Sequence, residues 1–264
     1  MKNNKIIQAV IFDLSGTLVD FGSLATIDTM KKVFQSKGIS INNEIIKKDM
    51  GIKKKYHIKK ILSYPLIKSE WIKKYKKPIN SIEFNELCIK FDKYLPLIVK
   101  KNLNIIPNVQ KIFRILQKNK IKIGATTGYP KRITKIILKF LKNKKIHFDN
   151  CVSEDEVSRS RPEPDMCIKN LKTFKIKDPK NCIKIDDSIS GILEGKNSGM
   201  FTIGLVSTGI QLGLSKSDFK NKNIKFKRNE YKKIRKRFKK SGASFVALDH
   251  FELENIFKKK FFIN

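Results

Sequence analysis

The chain has 264 residues and a mass of 30.6 kDa, which suits one large domain or a domain carrying an inserted module, with enough length to bury a core without staples. Its 58 basic residues against 24 acidic give a net charge of +34, so polyanion binding has to be weighed first. Cys88, Cys151, Cys167 and Cys182 form no C-x-x-C pair and have no regular spacing, which argues against a disulfide framework or a structural zinc site and for a reducing compartment. No apolar run approaches the ~18–20 residues of a membrane span, and the opening Met1–Lys5 is followed by too short an apolar stretch for a signal peptide. A soluble, cytoplasmic protein is expected.

In chain order, residues 6–12 form a short apolar run ending in Asp13, the pattern of a buried parallel strand that delivers an acid at its carboxyl end. Gly16-Thr17 marks a turn directly after it. From about Leu24 to Lys100 apolar residues recur at spacings of three and four, lysines fill the gaps, and Gly38, Pro65 and Pro78 punctuate, which predicts helices with no strand between them. From Pro107 the pattern alternates. Helices are expected at about 109–117, 132–141, 166–174 and 192–198, and strands at 121–126, 148–153, 182–185 and 200–205. Such alternation predicts an α/β fold with a doubly wound parallel sheet. Its catalytic core would comprise residues 1–20 and 104–264, and residues 21–103 would be a helical cap inserted after the first strand. Strands ending in Asp13, Thr127 and Asp187 would bring those side chains together, because ligands bind outside the carboxyl ends of such strands.

The tail carries Tyr231–Lys240, a basic amphipathic helix with Tyr231, Ile234 and Phe238 on one face, and then an edge strand at 244–248. Only seven of the basic residues are arginine, the residue that reads nucleic acid through bidentate contacts. The lysines are spread over every segment, so no specific nucleic-acid partner and no membrane partner is expected. A drifted fold retained for polyanion binding is a distant alternative.

The chemistry concentrates in a few places. In Asp13-Leu14-Ser15-Gly16-Thr17 an acid at a strand end, followed by a tight turn, suits a carboxylate nucleophile that attacks phosphorus beside a metal. Thr127 in Thr-Thr-Gly-Tyr, Arg161 in Ser-Arg-Pro and the Asp186-Asp187 pair add a hydroxyl, a phosphate-binding cation and a metal-binding acid. If 50–62 is helical, Met50, Lys54, His57, Ile58 and Ile61 share one face, and a lysine desolvated there has a lowered pKa and can form an imine.

The order Asp13, Thr127, Arg161, Asp187 resembles the haloacid dehalogenase-like superfamily. Most phosphatases of that superfamily carry a second Asp two places after the nucleophile as general acid; Ser15 stands there in this chain and cannot serve near neutral pH. Met50-Gly51-x-x-Lys54-x-x-His57-Ile58, Asp20-Phe21-Gly22-Ser23, Thr127-Gly128-Tyr129-Pro130, Arg161-Pro162, Lys184-x-Asp186-Asp187 and Gly191-Ile192-x-Glu194-Gly195 together resemble the phosphonoacetaldehyde hydrolases (phosphonatases), a branch that cleaves a carbon–phosphorus bond. The resemblance covers nearly the whole chain, and the Met-Gly-x-x-Lys-x-x-His motif is its most discriminating part.

The resemblance implies Asp13 as nucleophile and Lys54 as the amine that forms a Schiff base with the aldehyde. It implies Mg²⁺ held by Asp13, the Ser15 main-chain carbonyl and Asp187, with Thr127 and Arg161 holding phosphoryl oxygens. His57 would move protons or position water, Met50 and Tyr129 would shape the site, and Asp186 would stand behind the ligands. A homodimer built through the caps is also implied. The family commonly has Ala at the place of Ser15, Trp at Leu14 and Gly at Ser160. A Mg²⁺-dependent phosphate-monoester phosphatase or sugar-phosphate mutase of the same superfamily, with Lys54 only contacting phosphate, is the alternative.

Overall fold

The computed structural model describes residues 7–50 and 52–263; Met1–Ile6, Asn264 and Gly51 of the Met-Gly-x-x-Lys motif lie outside the described residues. Six strands form one sheet: β1 (Ala9–Phe12), β2 (Lys122–Thr127), β3 (Asn150–Ser153), β4 (Cys182–Asp186), β5 (Phe201–Leu205) and β6 (Phe245–Ala247). Their spatial order is β3-β2-β1-β4-β5-β6, and every neighbouring pair is parallel. The doubly wound sheet expected from the alternating pattern is therefore present, with β6 as the expected edge strand.

Between β1 and β2 the chain is helical: α1 (Leu24–Gln35), α2 (Asn43–Lys48), α3 (Lys54–Ser63), α4 (Pro65–Tyr75) and α5 (Ser81–Asn102). The helices that follow are α6 (Val109–Lys118), α7 (Lys131–Asn143), α8 (Asp165–Phe174), α9 (Ile189–Asn197), α10 (Lys216–Asn221), α11 (Ile224–Lys240) and α12 (His250–Ile256). The punctuation works as its chemistry dictates. Pro65 opens α4 at its first position, where no amide hydrogen is needed. Asn80 and Glu83 form a capping box that starts α5.

All four residues of β1 are buried, because the sheet is covered on both faces. Val10 and Phe12 pack with Ile112 and Phe113 of α6, Ile137 of α7 and Leu253 of α12. Ala9 and Ile11 point the other way, to Cys167 and Leu171 of α8. α9 and α11 complete that second layer through Ile192, Ile234 and Phe238 around Val246. The result is three layers, with the carboxyl ends of β1, β2 and β4 adjacent at one edge.

Two expectations need correction. The helix bearing Lys54 begins at Lys54 and not near residue 50, so Met50 does not share its face. Met50 instead closes the turn after α2, donating its amide to the Lys47 carbonyl. The basic tail helix is also longer than Tyr231–Lys240, starting at Ile224 behind an Asn223 cap. Ile234 and Phe238 are buried as expected, and Tyr231 packs on the same cluster.

Candidate active site

β1 delivers Asp13 into a tight loop. The Gly16 amide donates to the Val19 carbonyl at 2.7 Å, and the Leu18 and Val19 amides return to the Leu14 carbonyl. Gly16 has φ +83°, and a Cβ there would lie 2.3 Å from Asp187 Oδ2, so this loop closes over the β4 acids only with glycine at that place. Asp20 then caps α1, accepting from the Leu24 and Ala25 amides at 2.9 and 3.1 Å. The Ser15 hydroxyl donates to Asp20 at 2.7 Å. The side chain where a general acid would stand is thus committed to the loop, and the Ser15 carbonyl is what that residue offers the site.

Asp13, Asp186 and Asp187 present carboxylate oxygens within 4.8 Å of one another, all buried. Burial, then the negative charges of Asp13 and Asp186, drive the Asp187 carboxyl far above the ordinary carboxylate range. Burial and Asp186 push Asp13 up to about 6, against the pull of Arg161 and Lys184. Asp186 differs. Burial disfavours its charge, but Arg161 and Lys184 outweigh that and hold it ionised. Its oxygens are taken by Lys184 at 2.7 Å, Arg161 at 3.2 Å and the Ser188 amide and hydroxyl at 2.9 and 2.8 Å. Asp13, which shares Arg161 with two other acids, and Asp187, which has no ion pair among the described residues, are what a hard divalent cation relieves. The donor set fits such an ion, with Asp13, Asp187 and the Ser15 carbonyl able to hold it.

Arg161 lies across the strand ends. It pairs with Asp13 at 3.0 Å and Glu194 at 2.9 Å, and donates to the Thr126 carbonyl and hydroxyl, both at 3.0 Å. Burial works against its charge, but Asp186, Glu194 and Asp13 more than restore it. Glu194 and Lys184, both fully buried, form the back of this network.

The helical insertion faces the cluster. Asp13, Ser15, Met50, Lys54, Thr127, Tyr129, Arg161 and Asp187 line one cavity of about 40 Å³, room for a few waters. All but one of the predicted site residues therefore meet in one place. Met50 arrives there from its turn, where the Ser190 hydroxyl donates to its carbonyl at 3.2 Å. Lys54 is 8 % exposed, sits at the amino end of α3 where the helix dipole also disfavours an ammonium, and has Nζ 5.5 Å from the Tyr129 ring centre. Burial lowers its pKa to about 8, with Arg161 adding to that effect and Glu154 opposing it.

His57 is the exception. It does not line this cavity. Its Nε2 lies 2.9 Å from the Ile46 carbonyl, which can only accept, so that nitrogen carries the hydrogen. Burial and then Lys54 hold its pKa near 3. It supports the packing of α3 against α2 as a neutral ring. Sequence reasoning missed Glu154, a buried acid whose charge acts on Lys54.

A parallel sheet with a buried acid at the end of β1, a hydroxyl at β2, a buried cation and an acid pair at β4 is the arrangement of a haloacid dehalogenase-like hydrolase. The model of the haloacid dehalogenase-like hydrolases matches residues 7–199. Over the full length, the phosphonoacetaldehyde hydrolase of Latilactobacillus sakei is 34 % identical over 253 residues, 96 % of each chain. That of Bacillus cereus is 32 % identical over 250 residues, 95 % of each chain. The crystal structure of a phosphonoacetaldehyde hydrolase like protein from Oleispira antarctica superposes with a TM-score of 0.91 at 28 % identity, covering 97 % of this chain and 94 % of that one. This chain belongs to the phosphonoacetaldehyde hydrolase family. No helix among the described residues is long and apolar enough to cross a membrane.

Proposed function

We propose that this chain hydrolyses the carbon–phosphorus bond of phosphonoacetaldehyde to acetaldehyde and phosphate, with an imine on Lys54 and a phosphorylated Asp13 as intermediates. The observation that carries the reading is Lys54 itself: a buried amine with lowered pKa on the same small cavity as the Asp13 carboxylate.

The Lys54 amine adds to the aldehyde carbon and water leaves, giving a protonated imine. The Asp13 carboxylate then attacks phosphorus in line with the carbon leaving group. The electron pair of the breaking C–P bond forms a carbon–carbon double bond as the C=N π pair moves onto the nitrogen, and an enamine results. This explains why Ser15 needs no acidic side chain, since the leaving carbon never develops a free negative charge. Arg161 and Thr127 hold the phosphoryl oxygens, Arg161 already aimed by Glu194 and Asp186. Mg²⁺ held by Asp13, the Ser15 carbonyl and Asp187 would supply positive charge against the phosphoryl oxygens. Water hydrolyses the aspartyl phosphate; the enamine takes a proton at its terminal carbon to become the iminium of acetaldehyde, and a second water releases acetaldehyde from Lys54.

Met50 and Tyr129 bound the space around the amine. The role of His57 is to hold α3, and with it Lys54, against α2. Residues 21–103 act as a cap over a core of residues 1–20 and 104–264. The cavity is too small to admit the substrate freely, so the cap opens to load it and closes to bring Lys54 to Asp13. We assign the protein to the cytoplasm and its assembly to a homodimer formed through the caps, on the family likeness.

Borohydride reduction in the presence of acetaldehyde, followed by peptide mapping, tests the central step. An ethyl adduct on Lys54 is expected, and Lys54→Arg is expected to lose both the adduct and phosphate release, the latter by at least about 10³-fold. Phosphate-ester hydrolysis without any adduct would instead indicate an ordinary phosphatase of the same fold.

A further inference from the structure

Lys54 borders two cavities. Beyond it, away from Asp13, lies a roomier one of about 270 Å³, bounded by α3, α5 and the turn after β3 and lined in part by Lys54, Ile58, Phe91 and Glu154. Glu154 is 5 % exposed, and its Oε2 is buried without a hydrogen-bond partner. Its position is fixed from the strand side. Ser153 ends β3, hydrogen-bonds Thr134 at 2.8 Å, and has its amide held by Glu156 at 3.0 Å. The other acids of this cavity, Asp92 and Asp155, are exposed, with their carboxylates engaged by the Arg132 guanidinium and the Lys131 amide.

A buried carboxyl with an unmet oxygen is costly unless something uses it. The charges acting on Glu154 are Lys54 first, then Lys53, Asp155 and Arg161. Those acting on Lys54 are Glu154 first, then Arg161, Asp13 and Asp187. His57, one turn along α3, is neutral. Lys55 and Arg132 complete the cationic lining of the cavity.

We propose that Glu154 is the proton partner of Lys54, taking the ammonium proton before the amine attacks and returning it to expel water from the carbinolamine. This rests on the Lys54 imine reading above. The balance closes. Lys54–NH₃⁺ gives a proton to the Glu154 carboxylate, through a water in the second cavity. The free amine adds to the aldehyde carbon, one N–H proton moves to the alkoxide, and the Glu154 carboxyl protonates that hydroxyl. Water leaves, the protonated imine remains and Glu154 is again a carboxylate. The reverse sequence hydrolyses the product imine. Because Glu154 lines the second cavity and Asp13 the first, this proton traffic stays off the phosphorylated nucleophile. Burial pushes Glu154 up to about 7 while it pulls Lys54 down to about 8, so the pair shares one proton across the neutral range.

The test is the pH dependence of borohydride trapping of Lys54 by acetaldehyde in the wild-type chain, Glu154→Gln and Glu154→Asp. The wild type is expected to give a bell, as a pair that works with one shared proton must. Glu154→Gln is expected to trap at least tenfold more slowly at neutral pH, with a single rising limb whose midpoint lies below that of wild-type Lys54, because the negative charge that stabilised the ammonium is gone. Glu154→Asp, which keeps the charge but shortens the reach, is expected to keep the bell at a several-fold lower rate. A wild-type bell and rate in Glu154→Gln would overturn the proposal and leave the imine reading standing. An unchanged rate in Glu154→Asp would overturn it in the same way if the Gln variant does not fold. Absence of any Lys54 adduct in the wild type would overturn the imine reading, and this proposal with it.

Discussion

The strand ends and the helical insertion furnish the same cavity in opposite styles. On the strand side Arg161 alone has contacts with Asp13, Glu194, Asp186 and two oxygens of Thr126, and Asp186 is held from several directions at once. On the insertion side, among the described residues, Lys54 Nζ makes no hydrogen bond or ion pair, and its close neighbour is the face of Tyr129. On the proposed mechanism the difference follows from what each must do. Phosphoryl transfer is accelerated by charges already in place before the reaction, so the groups that receive the phosphoryl are over-determined. An amine that must lose a proton, bond to carbon and be released again cannot be locked into ion pairs, and its basicity is set first by burial, with Glu154 opposing from the second cavity.

The largest test of this division is Asp13→Asn. Loss of phosphate release on the order of 10⁵-fold is expected, the scale for removing a nucleophile that acts as part of a unit, while acetaldehyde trapping on Lys54 should stay within about threefold of wild type. Equal loss of both would show that the two halves of the site are not separable.

A smaller effect, on stability, contrasts the same two regions. Arg161→Lys removes the fork that serves Asp13, Asp186 and Glu194 together and leaves buried carboxylates unpaired, so urea unfolding should report a loss of roughly 3–5 kcal/mol. Lys54→Met removes a buried cation that has no ion pair, and Glu154, deprived of its counter-charge, can take up a proton, so the variant should unfold within about 1 kcal/mol of wild type. A reversed order would mean that the insertion, not the strand ends, carries the structural charges.

Much of the strand side was legible in the sequence, and the reason is local. A strand covered on both faces reads as an unbroken apolar run, and an acid or Thr at its end has one place to go. Residues 9–13 follow that rule without exception; 122–127 and 182–187 follow it at their ends, with Lys122 exposed at the start of one strand and Lys184 buried within the other, and the helices between them follow from their spacing. The insertion was legible as helices but less so in detail. Met50 has the spacing to share a face with Lys54, but the helix starts only at Lys54, so Met50 reaches the cavity from a turn. Glu154 was invisible for a different reason. In Glu154-Asp155-Glu156 three acids in a row look like a solvated rim, and only the position of the β3 end, facing α3 and α5 across the second cavity, selects one of them for burial. α10 and α12 went unpredicted because they are short, at six and seven residues, too few for a periodic signal.

The smallest of the expected effects probes the insertion alone. His57 is fully buried, with its pKa lowered from 6.5 to about 3, so the folded chain keeps the ring neutral where the unfolded chain protonates it. A group of this kind contributes no pH-dependent penalty above about 6.5; below that the unfolded state binds the extra proton, and stability falls steadily until the pH nears 3. At pH 5 the loss attributable to His57 is ~2 kcal/mol. His57→Leu leaves the Ile46 carbonyl without its donor and so lowers stability at every pH, but it removes the titration. Urea midpoints between pH 7 and pH 5 should therefore fall less steeply in the variant than in the wild type, with the His250 contribution, a second buried ring held near 4, common to both. An identical slope would mean that His57 is already protonated in the folded chain. A ring that is charged beside Lys54 would then repel the ammonium from one turn away, and the division drawn above, between strand-side charges held in ion pairs and a lone amine on the insertion tuned chiefly by burial, would have to be abandoned.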